Sequence, residues 1–207
     1  MMNHIFKEGK EGNENTLLLL HGTGGDEQDL LPLRDMIDPD AAVLSVRGNV
    51  SENGMNRFFR RLAEGVFDEE DLIFRTKELN EFIDQAAKDY RFDRKQVIAV
   101  GYSNGANIAG SLLYHYDKSL RGAILLHPMV PRRGIELPNL EGTPVFIGAG
   151  ANDPICAPEE TKELDKMLSD AGAKVEVFWA HQGHQLTREE LDHARNWYDN
   201  NVKGANK

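Results

Sequence analysis

Six short apolar runs, separated mostly by longer polar or amphipathic stretches, leave this chain few ways to bury a core. They lie at residues 16–20, 42–46, 97–100, 123–126, 145–147 and 175–179. Each has the length of a strand and has Gly, Pro or polar residues nearby. Nearly continuous apolar runs suit strands covered on both faces, and that requires helices as the connections. The expectation is an α/β fold with a mostly parallel central sheet of about six to seven strands. A further edge strand is expected at residues 5–7.

The intervening segments carry helical periodicity. In residues 71–90, Leu72, Leu79, Phe82, Ile83, Ala86 and Tyr90 recur on one face. Pro158 opens another helix, with Glu159 and Glu160 in its first turn and Gly172 to stop it. Leu164, Met167, Leu168 and Ala171 form its apolar stripe. Thr187-Arg188-Glu189-Glu190 reads as a capping box, after which Leu191, Ala194, Trp197 and Tyr198 face the core. A shorter helix is expected near residues 29–37, with Pro32 in its first turn.

No repeat, low-complexity stretch or linker divides the 207 residues, so one domain spanning 1–207 is expected. A formal net charge of −10 argues against a nucleic-acid partner. No apolar run has the length of a membrane span, and the first residues lack the apolar core of a signal peptide. The single cysteine, Cys156, precludes an intrachain disulfide. Together these point to a cytoplasmic protein with no membrane insertion.

Residues 97–106 read as a strand, then Gly101-Tyr102-Ser103-Asn104-Gly105, then the start of a helix rich in small residues. A bare G-x-S-x-G arises by chance in roughly one chain of this length in fifteen. Its position between a buried strand and a helix is what makes it chemical. A serine on such a turn needs flanking glycines where side chains would collide, and it sits at a helix N-terminus that favours an oxyanion.

A serine hydroxyl attacks only when a base takes its proton and a third group orients that base. In this type of fold the acid and then the histidine follow the serine in chain order. Asp153 stands at the end of the run at 145–147, beside the uncharged turn former Asn152. The last run is followed by His181 and His184; His184 is preferred, since it follows Gly183 and precedes the capping box. His181-x-x-His184 lacks a third ligand at suitable spacing, so no metal site is expected. His21 reads as holding its own loop. His127 ends a strand, where it can border the site, and His4, His115 and His193 read as surface or helix-face residues.

After Leu20 comes His21-Gly22-Thr23-Gly24-Gly25-Asp26. It lacks the Lys-Ser/Thr of a phosphate loop, and Asp26, Glu27 and Asp29 would repel phosphate. It suits half of an oxyanion hole, with the Thr23 amide as one donor and the Asn104 amide as the other.

The motifs Leu-His-Gly-Thr-Gly-Gly, Gly-Tyr-Ser-Asn-Gly, Asn-Asp-Pro and Gly-His-Gln, in this order, resemble the phospholipase/carboxylesterase family of α/β-hydrolases, which includes the acyl-protein thioesterases. Residues 57–65 and 127–131 resemble a bacterial carboxylesterase branch often linked by name to quinone stress. The resemblance implies an α/β-hydrolase fold with a minimal lid and a Ser103–Asp153–His184 triad. It also implies an oxyanion hole at Thr23 and Asn104, cofactor-free hydrolysis of a small-molecule ester, and a homodimer. Two departures, Ala106 and Phe58-Phe59-Arg60, stand where the thioesterase branch has a second Gly and Trp-Phe-Asp. They point toward simple esters. A thioesterase or lysophospholipase, and a non-catalytic binding or sensor protein on the same fold, are the alternatives.

The resemblance also places Phe58 and Phe59 over the acyl side of the site, with core packing as the alternative. Met129 and Ile155, just past strand ends, are expected to line the pocket. Arg57, Arg60 and Arg61 read as salt-bridged with residues 68–71, the alternative being a basic rim that selects anionic esters. Cys156 reads as buried and inert, the alternative being a thiol reactive enough to gate activity under oxidation.

Overall fold

Each of the six apolar runs becomes a strand, because strands covered by helices on both faces can bury every side chain. The structure, a computed structural model, describes residues 2–203. The chain begins with β1 (His4–Lys7), β2 (Thr16–Leu20), α1 (Leu31–Ile37) and β3 (Ala42–Val46). Two hairpins follow, β4 (Val50–Glu52) with β5 (Met55–Arg57) and β6 (Arg61–Ala63) with β7 (Val66–Phe67). Then come α2 (Glu69–Tyr90), β8 (Val97–Tyr102), α3 (Asn104–His115) and β9 (Gly122–Leu126). The last elements are β10 (Pro144–Gly150), α4 (Pro158–Asp170), β11 (Lys174–Ala180) and α5 (Arg188–Tyr198).

Among the described residues, seven strands form one sheet in the order β1-β3-β2-β8-β9-β10-β11. All neighbours are parallel except β1, the expected edge strand, which pairs antiparallel with β3. Alternation along each strand divides the core in two. Leu18, Leu20, Val97, Ala99, Val145 and Ile147 pack against α2, α3 and α4. Leu17, Leu19, Ile98, Val100 and Phe146 pack against α1 and α5.

The helix ends refine the sequence reading. The long helix starts at Glu69 rather than Asp71, because the Asp68 side chain accepts the Asp71 amide at 3.1 Å. Tyr90, expected on its buried face, is 39% exposed and stacks on Phe6 at the sheet edge. The capping box of α5 forms as expected. The hairpin β4–β5 was not foreseen, although Asn53-Gly54, both at positive φ, is a strong tight-hairpin signal.

This topology brings the C-terminal ends of β2, β8, β9, β10 and β11 to one edge. There they present Thr23, Ser103, His127, Asp153 and His184 in turn. The two hairpins between β3 and α2 lie over that edge and supply Arg57, Arg61 and Phe67 to the same cavity wall.

Candidate active site

The turn from β8 to α3 is as sharp as the glycine pattern requires. Ser103 caps α3 with φ 51° and ψ −112°, a conformation that L-residues rarely adopt. It is held by its amide donating to Leu126 O at 2.8 Å and its carbonyl accepting from the Asn107 amide at 3.0 Å. A Cβ at Gly105 would overlap the Leu20 carbonyl, so the helix lies directly on the end of β2. As the first residue of α3, Asn104 has an amide with no intrahelical acceptor. Its side-chain Oδ1 accepts the Phe58 amide at 2.7 Å, tying the elbow to the hairpin segment.

The loops after β10 and β11 converge on this serine. His184 Nε2 lies 2.8 Å from Ser103 Oγ, and His184 Nδ1 lies 2.7 Å from Asp153 Oδ2. With a carboxylate at Nδ1, that nitrogen donates and Nε2 is left to accept the serine proton. His181, the rival histidine, is exposed. Asp153 Oδ1 accepts the amides of Ile155 at 2.8 Å and Cys156 at 3.0 Å. Burial alone would push the Asp153 carboxyl up. The two amides, and then the imidazoles, outweigh it and hold the group below the usual carboxylate range.

A second imidazole shares that carboxylate. His127, at the end of β9, donates from Nδ1 to Asp153 Oδ2 at 2.9 Å. Its Nε2 faces Glu190 Oε1 at 3.4 Å, and all three side chains are fully buried. Burial lowers the proton affinity of His127, but Glu190 and then Asp153 reverse the effect and raise it above the ordinary value. His127, Asp153 and His184 each offer one ligand atom within 4.8 Å of the others. The 2.7 and 2.9 Å separations fit hydrogen bonds. They are shorter than the roughly 3.3 Å between donors on tetrahedral zinc with about 2.0 Å bonds.

A cavity of about 310 Å³ opens at Ser103, and Thr23, Tyr102, Asn104, Met129 and Ile155 help to line it. Phe58 and Phe59, expected there, do not. Both are core residues, 1% and 0% exposed, with Phe58 against His21 and Phe59 edge-on to Phe67. Phe67 takes their place in the wall. Both rings join the core cluster that contains Leu20, Leu72 and Ala106, since burying a phenyl ring among apolar side chains is favourable.

The three arginines divide. Arg60 pairs with Asp68 at 3.3 Å and Asp71 at 3.8 Å, as the salt-bridged reading expects. Arg57 and Arg61 correct it, since both line the cavity and share Glu52, at 3.5 and 2.8 Å. Arg57 is 3% exposed and donates to Thr23 Oγ1 at 2.7 Å and Phe59 O at 3.1 Å. Burial, and next the neighbouring Arg61 charge, push its guanidinium below its ordinary value. Cys156 is buried, and that burial pushes its thiol up, away from the reactive thiolate.

His21 holds its loop, as expected. Its Nδ1 donates to Gly22 O at 2.6 Å and its Nε2 accepts the Gly48 amide at 3.1 Å. Burial depresses its proton affinity, consistent with a neutral ring. Three residues escaped the sequence reading. Tyr102 donates to His184 O at 2.6 Å, Asn107 accepts the Met129 amide at 2.7 Å, and Glu190 reaches His127. Tyr102 lay inside the elbow motif and so was findable. Glu190 was hidden by its role in the capping box.

The family model described as Dienelactone hydrolase family matches residues 57–203. The chain is 62% identical over 197 residues to MhqD of Bacillus subtilis (strain 168), named as a hydrolase, covering 95% of this chain and 98% of that one. The crystal structure of the Bacillus cereus carboxylesterase superposes with a TM-score of 0.96 at 63% identity, covering 98% of this chain and 95% of that one. A structure of YahD with malic acid superposes at 0.93 with 33% identity, covering 97% of this chain and 100% of that one.

Proposed function

This chain is a carboxylic ester hydrolase of the dienelactone hydrolase family, and we propose that it works as a serine esterase on small esters through Ser103, His184 and Asp153. The observation that carries this reading is the continuous hydrogen-bonded line from Ser103 Oγ through His184 to Asp153, at 2.8 and 2.7 Å. His184 Nε2 takes the Ser103 proton as Oγ attacks the ester carbonyl. The oxyanion is received by the amides of Thr23 and Asn104. The imidazolium then gives its proton to the leaving alcohol, and an acyl-enzyme remains on Ser103. Water, deprotonated by His184, releases the acid and restores the serine. Asp153 holds the Nδ1–H tautomer and balances the charge that His184 acquires.

The cavity size favours short esters over long lipids. About 310 Å³ lies at the lower end of ligand sites, roughly 300–1,000 Å³. Arg57 and Arg61 favour esters that also carry a carboxylate, and the related YahD structure holding malic acid, a dicarboxylate, supports that preference. The family resemblance also supports a homodimer, which light scattering tests.

A fluorophosphonate probe should label the protein at Ser103, and Ser103→Ala should lose both labelling and p-nitrophenyl butyrate hydrolysis while keeping its fold. Retained turnover in that variant sinks the assignment. For the acyl group, p-nitrophenyl hemisuccinate should be preferred to the butyrate, and Arg61→Gln should erase the preference. Equal ratios in parent and variant exclude the anionic reading while leaving the esterase intact.

A further inference from the structure

The hydrolytic cycle above uses one histidine, yet the site contains a second that is buried more completely. His127, Asp153 and Glu190 have no exposed side-chain surface. His127 adopts φ 54°, which a non-glycine residue keeps only when its surroundings demand it. Its amide donates to Gly148 O at 2.7 Å, and the Cys156 thiol donates to its carbonyl at 3.3 Å. The ring is thereby aimed along a line between two carboxylates from different elements, the loop after β10 and the first turn of α5.

One end of that line is a donated hydrogen bond, from His127 Nδ1 to Asp153 Oδ2. At the other end, His127 Nε2 and Glu190 Oε1 lie buried 3.4 Å apart, and neither makes a hydrogen bond to any of the described residues. Two lone pairs facing each other in the interior would be repulsive, so a proton belongs between them. An imidazole flanked by two carboxylates favours its charged form, with a proton on each nitrogen. Room for the arrangement is made by Gly148, where a Cβ would overlap the Glu190 carboxylate.

Resting on the esterase reading above, we propose that His127 is a positioning residue that stands as a buried imidazolium between Asp153 and Glu190, fixing the Asp153 carboxylate for His184 and drawing off part of its charge. Each Asp153 oxygen then has two donors, two amides on Oδ1 and two imidazoles on Oδ2, so the carboxylate cannot rotate. Sharing Oδ2 between the two rings fixes where His184 Nδ1 is held and so how its Nε2 meets Ser103 Oγ. The His127 ring, 5.2 Å from the His184 ring, adds like-charge repulsion. The other titratable groups facing the two rings are Tyr102 from β8 and the Cys156 thiol from the loop after β10.

Two variants and two readouts test this. His127→Asn keeps a donor for Asp153, removes the charge and the second nitrogen, and tolerates positive φ. Glu190→Gln keeps the capping box. In ¹⁵N-histidine NMR at neutral pH, the parent should show His127 protonated on both nitrogens, and Glu190→Gln should show one proton fewer. In His127→Asn, kcat for a short ester should fall by on the order of tenfold with KM little changed. A singly protonated His127 in the parent, or an unchanged kcat alongside a mere loss of Tm, overturns the proposal. If neither variant folds, the parent spectrum decides alone. Ser103 labelling is read separately, so failure of the esterase reading is distinguishable from failure of this one.

Discussion

Replacing Gly148 with alanine adds one methyl group at the most crowded point behind the site. The new Cβ would lie 2.9 Å from Glu190 Cδ and overlap Oε1, closer than packed carbons come. Glu190 is fully buried, so its carboxylate must shift away from His127 and from the Thr187 amide, which it meets at 3.4 Å. Breaking a buried charged pair costs about 3–5 kcal/mol, and the weakened cap adds a few tenths. At about 2–4 °C per kcal/mol for a chain of this size, Tm should fall by roughly 6–20 °C. Thermal unfolding followed by circular dichroism measures it. Glu190→Ala removes the obstacle, so adding Gly148→Ala to it should do little further harm. An unchanged Tm for Gly148→Ala, or strict additivity of the two substitutions, would refute the placement of Glu190.

Tyr102→Phe removes the hydroxyl that donates to His184 O at 2.6 Å; losing about 1 kcal/mol of loop anchoring should lower kcat by roughly 2–10-fold with little change in KM. Asn104→Ala leaves the buried Phe58 amide without its acceptor and should cost about 1–3 kcal/mol in urea unfolding. The pH dependence of stability should fall on both sides. Asp153, lowered in the folded state, contributes above the ordinary carboxylate range near about pH 4 and loses this as pH falls through its folded value. His127, raised in the folded state, contributes fully below about pH 6.5 and loses this as pH rises through its folded value. Unfolding free energies across the range measure both limbs, and Glu190→Gln should flatten the alkaline one. A decline there that Glu190→Gln leaves intact contradicts the assignment to His127.

What the sequence determined by itself is the frame. Apolar runs of strand length with amphipathic segments between them allow little besides a helix-covered parallel sheet, and that sheet gathers its loops at one edge. Local signals also sufficed where the cause is local. Thr187 to Glu190 specified a helix start, and Gly101 to Gly105 specified an elbow, because both depend on backbone geometry within a few residues. Chain order then pointed to Asp153 and to His181 or His184, and the place of His184 between Gly183 and the capping box favoured it. The tertiary structure decided everything that depends on which side chains meet across elements. Phe58 and Phe59 went to the core and Phe67 to the cavity. Arg57 and Arg61 turned to Glu52, and Glu190 crossed from its cap to His127. A serine elbow is written in neighbouring residues, whereas the burial of a charge is set by groups 26 to 63 residues away in sequence, as Asp153 and Glu190 are from His127, which only folding brings within reach.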